Sequence, residues 1–144
     1  MVSATPAAAA VVPALQGALA AEHAAVYGYG VAGALLAGAA QVQARADWLA
    51  HQLARDTLEA MLTKLGATPV AASPAYRLPF AVSGAASARR LAAALEEGVT
   101  GAYLGVVAVD DPALRAFGAK AMQVSANRAV TWSGATVAFP GMPG

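Results

Sequence analysis

The sequence predicts an all-α protein, an antiparallel bundle of four helices with one long crossover between helices 2 and 3. Three observations predict it. Apolar residues recur at alternating three- and four-residue spacings over four segments of similar length. No segment alternates with the two-residue period of a strand. Proline and glycine concentrate in one inter-helix segment, residues 66–87, while the other links are short and so make antiparallel neighbours.

Helix 1 is expected over about residues 12–37. Val12, Leu15, Leu19, Glu22, Val26, Tyr29, Gly33 and Leu36 form a core-facing seam with one carboxylate in its middle. Pro13 fits the first turn, where a missing N–H costs nothing, and the residues before it read as a loose tail. Helix 2 is expected over about 42–65, with Gly66 as its C-terminal cap and Pro69 beyond. Segment 66–87 is long for a helix–helix connection, and Tyr76, Leu78 and Phe80 give it apolar groups with which to pack on the bundle. Helix 3 is expected over about 87–109. Asp110-Asp111-Pro112 starts helix 4 with an aspartate cap and a proline at the first helical position. Helix 4 should run to about 137, and Phe139-Pro-Gly-Met-Pro-Gly terminates it. One domain, residues 1–144, accommodates all four helices.

Composition narrows the function. Charged residues make up 12% of the chain, about half the usual share, and the net charge is +1. With no basic run, nucleic acid is not an expected partner. Cysteine is absent, which removes disulfides, thiol catalysis and thiolate metal sites. Ala24–Ala40 carries no charge but is mostly alanine and glycine and falls short of a spanning length, so no membrane insertion is expected. Without a basic leader at Met1, the expected location is cytoplasmic. So few charges leave much of the surface apolar, which points to a homodimer.

Each of the four seams carries a polar residue at similar depth. They are Glu22 in helix 1, Arg55 in helix 2, Glu96 in helix 3 and Arg128 in helix 4. The expected seams read Trp48, His51, Arg55, Leu58, Leu62 and Leu65 in helix 2, and Leu114, Phe117, Ala121, Val124, Arg128 and Thr131 in helix 4. Two carboxylates and two guanidinium groups would form a neutral buried network that fixes helix register. An internal echo accompanies it, with Glu22 followed by Tyr29 and Glu96 by Tyr103 at the same spacing. These tyrosines, with His23, are expected around the layer.

The helix 1 stretch LQGALAAEHAAVYGYG, the AYRLPF segment and the terminal FPG resemble a bacterial ferritin-like family of unknown function, within the ferritin-like superfamily. The resemblance implies that fold over nearly the whole chain. It also implies a carboxylate from helices 1 and 3 and a Glu-x-x-His from helices 2 and 4 around two metals. Glu22 and Glu96 match the first pair, and the second is missing. The expected function is therefore a degenerate ferritin-like domain, uncharacterised and non-catalytic, without a cofactor, that serves as a structural, interaction or small-ligand module. The alternative is a di-metal protein binding iron or manganese, for iron binding or oxygen-dependent oxidation, through Glu22, His51, Glu59 and Glu96. No nucleophile-elbow motif supports a hydrolase.

Overall fold

The computed structural model describes residues 6–134, and those residues form four helices with no strand among them. They are α1 (Pro6–Ala34), α2 (Gly38–Lys64), α3 (Ala85–Val107) and α4 (Pro112–Ser133). The expected end of helix 4 near 137 and the terminal Phe139-Pro-Gly stretch lie outside the described residues.

α1 starts earlier than expected, at Pro6, and Pro13 sits inside it. The alanine run before Pro13 has enough helix propensity to carry the helix through the missing hydrogen bond. By length and composition Ala9–Ala34 is apolar enough to cross a bilayer. In this fold its Leu15, Leu19, Glu22 and Tyr29 face inward, packed against the other helices.

The helix ends follow local chemistry. Gly66 adopts φ +76°, and the N–H of Ala67 reaches back to the Leu62 carbonyl at 3.0 Å, closing α2. The Asp111 carboxylate caps α4 by accepting the Leu114 N–H at 3.0 Å. Gly134, at φ +73°, caps α4, with its N–H on the Val130 carbonyl at 2.7 Å.

α1 packs against both α2 and α3, and α3 packs against α4. α2 and α4 are not close-packed neighbours, and a cleft opens between them. This moves the inward face of α4. The expected seam of Leu114, Phe117, Ala121 and Val124 is only half-buried, while Gly118, Ser125, Ala129 and Trp132 face inward. Two apolar clusters fill the interior. One contains Leu15, Leu19, Leu58, Leu62, Val99 and Val106. The other contains Ala32, Leu36, Leu91, Ala92 and Trp132.

The connection between α2 and α3 is strapped to the bundle. The Gln16 side chain donates to the Thr68 carbonyl at 2.7 Å and accepts the Val70 N–H at 2.8 Å. The His23 imidazole Nε2 meets the Val70 carbonyl at 2.9 Å. Tyr76 packs on Tyr27 with ring centroids 5.5 Å apart, and Leu78 and Phe80 join the second cluster. Gln16→Ala removes two of these bonds. Amide exchange at Val70 should accelerate at least tenfold while exchange in α3 stays unchanged.

Candidate functional site: a buried Glu-His-Glu layer beneath a cleft

Glu22 and Glu96 do meet in the interior, and a histidine joins them. His51 Nδ1 lies 2.5 Å from Glu22 Oε2, and Nε2 lies 2.9 Å from Glu96 Oε1. All three residues are almost fully buried. Burial alone would push the imidazole toward its neutral form. The hydrogen bonds and charges of the two carboxylates outweigh it, so the pKa is raised to about 9. At neutral pH His51 is therefore an imidazolium donating both N–H groups.

The tyrosine echo becomes a crossed pair. α1 and α3 run antiparallel, so the Tyr29 hydroxyl donates to Glu96 Oε1 at 2.7 Å and the Tyr103 hydroxyl donates to Glu22 Oε1 at 2.8 Å. Burial and the adjacent carboxylates push both phenols well above the ordinary tyrosine range. Both stay protonated and act as donors. The Tyr29 ring also stacks on His51, with centroids 5.4 Å apart. Tyr103→Phe deletes one of the two donors to Glu22 and should lower unfolding stability by about 1–3 kcal/mol in a urea titration.

A second carboxylate cluster adjoins the first. Asp47, one turn before His51 on α2, accepts from Trp132 Nε1 at 2.9 Å and from Gln43 Nε2 at 2.9 Å. Arg128 Nε lies 3.2 Å from Oδ1, the oxygen that Gln43 also reaches. Asp47 thus ties α2 to α4 at the level of the layer. The sequence reading missed it. The available signal was its i, i+4 spacing from His51, which puts both on one helix stripe.

The other expected residues fall elsewhere. Arg55 does not enter the layer. Its guanidinium is partly exposed and pairs with Asp56 at 2.9 Å. Its long side chain reaches water without losing a partner, and the compact imidazole of His51 takes the space between the carboxylates. Arg128 approaches the layer but pairs with Asp47, not with a glutamate. Glu59 is half-buried and lies 3.9 Å from His23 Nε2, and it does not join Glu22, His51 and Glu96. His23 is buried, but it faces the α2–α3 connection instead of the layer.

Above the layer, the cleft between α2 and α4 encloses about 350 Å³. Glu22, His51 and Tyr103 contribute to its lining, together with Leu53 and Ala54 of α2 and Phe117, Ala121, Val124 and Ser125 of α4. Ser125 is 3% exposed and has no hydrogen-bond partner among the described residues. Another groove, of about 520 Å³ between α1 and α2, is lined by Tyr29, Arg45 and Trp48 and by none of the carboxylates.

Residues 14–144 match the family described as a domain of unknown function (DUF4439). The chain belongs to this family. A solved structure similar to this DUF4439 chain is that of a conserved hypothetical protein, rv2844, from Mycobacterium tuberculosis. The two are 36% identical, with a TM-score of 0.83 over 86% of this chain and 95% of that one. No curated protein matches the DUF4439 chain. Among its described residues, no group of three or more His, Cys, Asp or Glu side chains is arranged to hold a metal.

Proposed function

We propose that this chain is a non-catalytic small-ligand-binding module of ferritin-like descent, with its ligand site in the α2/α4 cleft. The observation that carries this reading is a cleft of ligand size that reaches a buried charged layer, with Ser125 in its wall. The layer itself suits binding better than catalysis. Both imidazole nitrogens of His51 are committed to carboxylates, and both phenols are held protonated. None of the three is poised as a base or nucleophile.

The ferritin-like part of the proposal is supported by position. Glu22 and Glu96 come from α1 and α3. Of the Glu-x-x-His pairs that metal-binding proteins of that fold carry, α2 keeps only a histidine, His51, and α4 keeps neither residue. The donor set fits metal poorly. The His51 imidazolium lies between the carboxylates, Arg128 brings a second cation, and Glu59 is remote. An iron or manganese site would require His51 to lose a proton and release at least one carboxylate. The long α2–α3 connection, fastened by Gln16 and His23, serves as the crossover of this fold and acts as a strap.

The homodimer is likewise a proposal. Val42, Leu49 and Leu53 are exposed large apolar residues along one stripe of α2. Sedimentation as a monomer at high concentration would contradict it.

The ligand-site reading is tested by two-dimensional NMR with a set of small aromatic amines, acids and alcohols. Shifts should concentrate at Ala54, Tyr103 and Ser125, and should vanish in Ala121→Phe, which fills the cleft. Shifts confined to other surfaces would overturn it.

A further inference from the structure

Among the helices, α2 packs closely against α1 alone. Its outward face carries Val42, Ala46, Leu49, Leu53 and Ala60, all exposed and spaced to fall on one stripe. Arg45 and Asp56 flank that stripe along the same edge, eleven residues and so about three turns apart. Both are exposed. Asp56 pairs with its neighbour Arg55, and Arg45 has no polar or ring partner among the described residues.

This pattern is complementary to itself in one orientation. In an antiparallel pair of α2 helices related by a two-fold axis, each residue faces the one equally far beyond the axis. Leu49 then lies opposite the partner's Leu53, and Val42 opposite the partner's Ala60. Arg45 falls beside the partner's Asp56, because the same edge of each helix meets in this arrangement. Leu49 and Leu53 have their midpoint at residue 51, as do Val42 and Ala60, and the midpoint of Arg45 and Asp56 falls between residues 50 and 51. The apolar groups and the charges thus select the same axis independently. A parallel copy would set Arg45 against the partner's Arg45 and Asp56 against the partner's Asp56, a repulsive arrangement.

We propose that α2 forms a two-fold symmetric, antiparallel interface with α2 of a second copy of this chain, centred near residue 51, with Leu49 and Leu53 in the middle and Arg45–Asp56 ion pairs along one edge. This deepens the homodimer reading and rests on it. The leucines supply the affinity, while the exposed ion pairs set orientation and register. Ala46 and Ala60 are small and let the helices approach closely. Leu53 also lines the α2/α4 cleft, so the partner's helix runs beside the cleft mouth.

One helix per subunit makes an interface at the small end of specific contacts, so dimer and monomer should exchange over a measurable concentration range. Sedimentation of the full chain across that range should give a dimer dissociation constant. Leu49→Glu should raise it at least tenfold, and the exposed position should leave the helical circular dichroism unchanged. Arg45→Asp and Asp56→Arg should each weaken the dimer, and combining the two should restore it. The chain has no cysteine, so introduced thiols report the register directly. Val42→Cys combined with Ala60→Cys should yield a disulfide-linked dimer under mild oxidation, and neither substitution alone should. If the chain is a monomer throughout, the interface falls together with the homodimer reading. A dimer that Leu49→Glu leaves intact would keep the homodimer and overturn the α2 interface. Cross-linking by Val42→Cys alone would overturn the antiparallel register.

Discussion

Replacing His51 with alanine should lower unfolding stability by about 3–5 kcal/mol, measured by urea titration at pH 7. The loss comes from what the imidazolium leaves behind. Glu22 and Glu96 are nearly inaccessible to solvent, and among the described residues His51 is the one cation hydrogen-bonded to both. Without it, two like charges share a buried space with only tyrosine hydroxyls as donors. Arg55→Ala provides the contrast. Its guanidinium is partly exposed and pairs with the neighbouring Asp56, so its removal should change stability by no more than about 0.5 kcal/mol. A network built on Arg55 would give the opposite order.

The same group sets a pH dependence. Its pKa is raised from 6.5 in the unfolded chain to about 9 in the folded one. The stabilisation is fully present below about pH 6.5 and is lost as pH rises through about 9. Its full size is about 3 kcal/mol. Wild-type stability should therefore fall between pH 7 and pH 10, and His51→Ala should lack that part of the fall.

Asp47→Ala should cost about 2–4 kcal/mol. Asp47 is buried and holds Gln43 within α2 and Trp132 and Arg128 from α4, with the Tyr29 hydroxyl of α1 at a longer 3.4 Å. The alanine leaves the indole N–H of buried Trp132 without its acceptor. Arg128 is partly exposed and can turn to water, which caps the loss. Because α2 and α4 are otherwise separated by the cleft, the tie carries unusual weight for the position of α4. Hydrogen exchange should accelerate more in α4 than in α1. Asp47→Asn keeps one acceptor oxygen and should lose about half as much.

Much of the fold could be read from apolar spacing. Along α3, Ala92, Glu96, Val99, Tyr103 and Val106 recur at three- and four-residue spacings, and all five are buried. Asp111-Pro112 and Gly66 mark helix ends because each satisfies a backbone constraint that few other residues can. α4 was harder to read. Its periodicity fits two adjacent faces, and which one is covered depends on α2 standing away from it. The buried carboxylates Glu22 and Glu96 were legible because a charge within an apolar seam stands out. Their partner was not. Arg55 and His51 lie one turn apart on the same stripe, and depth along a helix does not resolve one turn. Side-chain length decides between them. An imidazole fits between two carboxylates on facing helices, while a guanidinium on a longer stem reaches solvent. Asp47 escaped notice because its partners, Trp132 and Arg128, come from a helix distant in sequence.

The central claim is that a charged imidazole bridges Glu22 and Glu96. The most direct measurement is the pH titration of the His51 ring nitrogens by ¹⁵N NMR, assigned with the His51→Ala variant. The account predicts that both nitrogens stay protonated at pH 7 and that the ring titrates near pH 9. A neutral ring at pH 7, or a midpoint near 6.5, would contradict it.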